Sequence, residues 1–131
     1  LYRLEIAQLR EALRVMAKSG IHTVDLPGTP VMALAVAARS LPLAISRPLL
    51  KRSVGSGRGG KMPSFHVDLH AGGGKSEVGY LNGAVARYGG KPGVDTPVNS
   101  LLNEILQALT DGSLPRDSYA GQADKLLAAL K

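Results

Sequence analysis

KMPSFHVDLHAGGGKSEVGYLNGAVARYGGKPGVDTPVNSLLN, residues Lys61 to Asn103, decides how this chain is read. Pro63 opens a short helix that runs to about Leu69, and Ala71 to Lys75 is a glycine turn. Ser76 caps a second helix ending near Tyr88, with Leu81, Val85 and Tyr88 on one face. Gly89-Gly90 stops it. Thr96-Pro97 then gives a hydroxyl cap followed by proline in the first turn, and Val98, Leu101, Leu102, Ile105 and Leu109 keep the cleanest helical spacing in the chain. No segment of useful length alternates with period two, here or elsewhere, so the fold is expected to be all-α.

Outward from this stretch the pattern stays helical. Tyr2, Ile6, Leu9, Leu13 and Met16 form one apolar stripe, with Arg3, Gln8, Arg10, Glu11, Arg14 and Lys18 on the other faces. Gly20 supplies a left-handed stop. After the loop HTVDLPG, Thr29-Pro30 restarts a helix whose Val31–Ala38 portion is apolar on every side and is therefore expected to be buried. Pro42 and Pro48 break the segment from Leu41 to Arg52 into two short pieces, and Ser53 to Gly60 is a basic, glycine-rich loop. Beyond Asp111-Gly112 a polar linker leads to a last helix marked by Ala120, Ala123, Leu127 and Leu130. Together these make one helical domain, residues 1–131, of about six to seven helices.

The 131 residues, 44% hydrophobic and 20% charged, suffice for one buried core and not for two. No run approaches the roughly 18 apolar residues that span a bilayer, because Arg39, Pro42, Arg47 and Pro48 interrupt the best candidate. Cysteine is absent, which excludes thiolate chemistry and suits a reducing compartment. There is no signal-peptide order at the N-terminus, and the cytoplasm is the expected location. A helical pattern already running at Leu1 without a cap suggests a domain cut from a longer chain. A net charge of +6 favours an anionic partner, while 4% aromatic content supplies few base-stacking rings.

Two motifs match by letters and fail by context. Gly55 to Gly60 fits G-x-G-x-x-G and Gly55 to Lys61 fits most of a P-loop, but neither follows a strand, and Met62 stands where the P-loop needs Ser or Thr. The reading is a basic connector. His66 and His70 are four apart, as in a zinc site, yet the remaining histidine, His22, is in a distant loop, so no metal is expected. Glu77, second in a capped helix start, is either a favourable N-terminal carboxylate or a placed acid; Ser64 is either a local cap or a partner of Glu77 in one cleft. Asn82 and Asn99 are read as surface amides or helix-end hydrogen-bonders.

Pro63-Ser64-Phe65-His66-Val67-Asp68-Leu69, Gly74-Lys75-Ser76-Glu77-Val78, Leu81-Asn82-Gly83-Ala84-Val85 and Thr96-Pro97-Val98-Asn99 stand in a specific order and spacing. They resemble the C-terminal domain of ketopantoate reductases (2-dehydropantoate 2-reductases), with its P-S-M-x-x-D-L, T-E-I-D-x-L-N-G and T-P-x-N signatures. The resemblance implies the all-α C-terminal domain of 6-phosphogluconate dehydrogenase-like reductases, preceded by a dinucleotide-binding domain of roughly 150–200 residues in the same polypeptide. It also implies NADPH as cofactor, a 2-keto acid as substrate, a catalytic lysine upstream of residue 1, and a possible homodimer. By the same resemblance Ser64 binds substrate and Glu77 contacts the cofactor near its nicotinamide ribose; no catalytic proton donor lies in this chain, and the fragment alone is expected to be inactive.

Gly79 in place of the family's acidic residue, a longer Gly72–Lys75 turn, and Phe65-His66-Val67 in place of Met-Leu-Gln leave a different 2-keto acid open. Two other readings compete. One is a basic module binding nucleic acid through Lys51, Arg52, Arg58 and Lys61, and the other is an oligomerisation domain with Val31–Ala38 as its seam. Under the reductase reading neither nucleic acid nor membrane is a partner.

Overall fold

The computed structural model describes residues 2–48, 64–71 and 76–130. These residues fold as an all-α domain: α1 (Tyr2–Lys18), α2 (Val31–Ser40), α3 (Ser64–Ala71), a 3-10 turn (Glu77–Gly79), α4 (Asn82–Gly90), α5 (Pro97–Asp111) and α6 (Ala123–Ala128), with a further helical stretch over 43–48. The basic loop Gly55–Lys61 and the turn Gly72–Lys75 lie outside the described residues.

α1 is the hub, because it packs against α2 on one side and against α4 and α5 on the other. Its buried residues show this two-sidedness: Ile6 meets Ala38 of α2, flanked by Tyr2, Leu13, Leu34 and Leu43, while Leu4, Glu11 and Val15 are also buried. The expected single stripe is thus wider than drawn, and its member Leu9 is 43% exposed. Gly20 ends α1 with φ +72, and the Ile21 N–H donates back to the Met16 carbonyl at 2.8 Å. This is the left-handed stop the sequence announces.

α2 departs from expectation twice. Thr29 makes no side-chain cap; instead Asp25 Oδ1 accepts from the Met32 N–H at 2.7 Å, with Leu26 and Thr29 joined by reciprocal main-chain bonds. Nor is the helix buried all round, for Ala35, Ala37 and Ala38 face inward while Met32 and Val36 are 53% and 61% exposed. Among the described residues α1 is the main helix packed on α2, so a ten-residue helix with small alanines inward has an outer face left over.

The expected helix Ser76–Tyr88 is broken in two. Ser76 does cap its start, its hydroxyl accepting from the Val78 N–H at 3.2 Å, but the segment is a single 3-10 turn. Leu81, at φ −101 and ψ −85, leaves helical geometry before α4 begins. Val78, fully buried, anchors the turn, and Arg87 Nη1 donates to the Gly79 carbonyl at 2.9 Å. The face of Leu81 and Tyr88 turns to solvent, while Asn82, Gly83 and Gly89 face the core.

α4 and α5 are the most closely joined pair of helices. At Gly89 the loop leading into α5 comes so close that a Cβ would stand 2.7 Å from the Val94 carbonyl oxygen and 2.9 Å from Thr96. Val98, Ile105 and Leu109 of α5 complete this part of the core, and Gly112, at φ +84, ends the helix. α6 is present as expected but buries no residue.

Candidate functional site

A helix start needs acceptors for its first main-chain N–H groups, and α5 begins with neither an acidic residue in its first turn nor a working cap at Thr96. The acceptor comes from 87 residues nearer the N-terminus. Glu11 of α1, only 2% exposed, accepts from Val98 N–H through Oε1 and from Asn99 N–H through Oε2, both at 2.9 Å. Asn99 Nδ2 adds a bond to Oε2 at 2.7 Å and lies 3.1 Å from the Gln8 carbonyl. Glu11 therefore does not belong to the solvated face where its sequence position put it. A carboxylate placed on the N-terminal N–H groups of a helix is favoured both by charge-assisted hydrogen bonds and by the helix dipole.

The network extends to the next helix. Asn82, first residue of α4, donates through Nδ2 to Asn99 Oδ1 at 3.0 Å, and both amides are buried. α4 and α5 are thereby fixed start to start. Neither asparagine is the surface amide that its position allowed; both serve as the alternative helix-end hydrogen-bonders. Sequence hid this, because Thr96 reads there as the hydroxyl cap of α5; in the structure Thr96 makes no cap bond and the acceptor comes from another element.

On this platform sits the turn that carries Glu77. The turn packs against both α4 and α5. Ser76 holds it from one end and buried Val78 from below, which leaves Glu77 exposed at its first position. Ser64 is the first residue of α3, which also packs against α5. The side chains of Ser64 and Asp68 lie outside the described residues. The elements bearing the two expected site residues thus both pack on α5.

His66 and His70 stack along α3 with ring centroids 4.1 Å apart, and His70 Nδ1 lies 2.8 Å from the His66 carbonyl oxygen. Among the described residues, no group of three His, Cys, Asp or Glu gathers that could hold a metal ion. None of the helices among them is long and apolar enough to cross a membrane.

Residues 2–110 match the family model for the ketopantoate reductase PanE/ApbA C terminal. The chain belongs to that family. Comparisons with curated proteins and with solved structures found no match. The ketopantoate reductase match runs from α1 through α5 and includes Glu11, Ser64, Glu77, Asn82 and Asn99; α6 lies beyond it. Family membership makes this a C-terminal domain of a ketopantoate reductase type of oxidoreductase.

Proposed function

We propose that the chain is the C-terminal half of an NADPH-dependent reductase that converts 2-dehydropantoate to pantoate. In this reading Glu77 and Ser64 line one wall of a cleft, and a dinucleotide-binding domain of the same polypeptide forms the other wall. The observation that carries the reading is the presentation of Glu77. A carboxylate exposed on a turn braced by Ser76, Val78, α4 and α5 keeps its position while a ligand binds, within a family match that spans it.

An exposed carboxylate is the acceptor that ribose hydroxyl and carboxamide N–H donors require, so Glu77 suits a nicotinamide nucleoside. The bound cofactor would supply the hydride for the 2-keto carbon. Glu77 would orient nucleoside and substrate, and Ser64 would hydrogen-bond the polar end of the substrate. The proton donor is the lysine that the resemblance places upstream of this chain. The substitutions at Gly79 and Phe65–Val67 alter the neighbourhood of both residues, and a related 2-keto acid is the second reading they favour.

The test is steady-state kinetics of the full-length protein with NADPH and 2-dehydropantoate, before and after Glu77→Ala. Because Glu77 is exposed, the variant should fold normally, and turnover should drop roughly tenfold or more. An unchanged rate would refute the role of Glu77. Rapid reduction of another 2-keto acid with none of 2-dehydropantoate would select the second reading.

A further inference from the structure

Away from Glu77, a cleft of about 510 Å³ opens between α1 and α2. Four arginines line it: Arg3, Arg10 and Arg14 from α1 and Arg39 from the last turn of α2. Spacings of seven and four put the first three, with Ala7, on one stripe of α1. Glu5 sits about 200° round the helix from Arg3 and so cannot neutralise them from their own face.

Three of these guanidinium groups are held by main-chain carbonyls. Arg10 donates to the carbonyls of Ala38 at 2.7 Å and Leu41 at 3.1 Å, Arg14 to that of Arg10 at 3.3 Å, and Arg39 to that of Leu13 at 3.2 Å. Those bonds fix direction and leave the charge uncancelled. Glu11, the one acid on the lining, has both carboxylate oxygens engaged by Val98 and Asn99 at the start of α5. A stripe of like charges at helical spacing is unfavourable unless something answers it.

We propose that this cleft binds a small phosphate-bearing molecule with at least two negative charges. Its volume falls in the range of small-molecule sites, and guanidinium forks match phosphate oxygens two at a time. Arg10, half-buried and bound to two carbonyls, forms the fixed floor; Arg3, Arg14 and Arg39, all exposed, close on the ligand. Among the described residues no aromatic side chain lines the cleft, so recognition is of the anionic group and not of a base. The site lies on different elements from Glu77 and stands or falls separately from the reductase reading.

The probe is inorganic pyrophosphate, titrated calorimetrically into the full-length protein with and without saturating NADP+. Wild type should bind it in both conditions, and the double variant R3Q/R14Q should bind at least tenfold more weakly while keeping its helical circular dichroism. Absence of binding to wild type overturns the proposal, as does equal affinity in the variant. Binding abolished by NADP+ assigns the anion to a dinucleotide site and also overturns it. A duplex DNA that binds more tightly than pyrophosphate and depends on the same arginines replaces it with a nucleic-acid surface.

Discussion

Glu11 carries more of this structure than any other polar residue described. It closes contacts between segments 87 residues apart and leaves no donor at the start of α5 to be satisfied by Thr96. Glu11→Ala removes a helix cap and strands the buried donors of Val98 and Asn99, so we expect a loss of about 2–4 kcal/mol in chemical denaturation. Glu11→Gln, which keeps one acceptor oxygen, should lose about half as much. Asp111 gives the pH-dependent counterpart. Its Oδ1 accepts from the side-chain hydroxyl and then the main-chain N–H of Ser113, and these bonds hold its carboxyl below the ordinary value of 3.8. A carboxyl depressed in the folded state stabilises above its unfolded value and loses that effect as pH falls through the folded one. Acid unfolding of wild type and Asp111→Asn should therefore differ slightly at neutral pH and converge below pH 3.8.

At the scale of elements, periodicity located nearly every helix among those described, and the end signals Gly20 and Gly112 are left-handed as their positions require. What it could not locate was burial. Val31–Ala38 is uniformly apolar in sequence, yet only the face of Leu34, Ala35, Ala37 and Ala38 turns inward, because whether a second neighbour covers Met32 and Val36 is a tertiary fact. The outer face of α2 is exposed, as an oligomer seam would need. The break at Leu81 was equally invisible, since no proline or glycine stands at that position and the burial of Val78 beneath the turn is a tertiary fact. The close approach of α4 to the loop that leads into α5 gives the sharpest test at this scale. Gly89→Ala would drive a methyl group into the Val94 carbonyl, which as main chain cannot swing aside, and should lower stability by about 1–3 kcal/mol. Gly90→Ala, with open space around it, should be neutral or slightly stabilising.

Across the whole molecule, α1, α4 and α5 form a frame whose polar centre is Glu11, Asn82 and Asn99, and Glu77 stands on the turn this frame supports. The signature residues were readable in sequence because they occur in ordered short motifs. The residues that brace them were not, because a buried carboxylate and an exposed one look alike in a helical wheel. We propose that this frame holds Glu77 against a nicotinamide nucleotide and its 2-keto acid substrate. The most direct measurement is the NADPH-dependent turnover of 2-dehydropantoate by the full-length protein and its Glu77→Gln variant, with circular dichroism to establish that both are folded. Wild type should turn over, and the folded variant should lose roughly tenfold or more. Equal turnover by both proteins would contradict it.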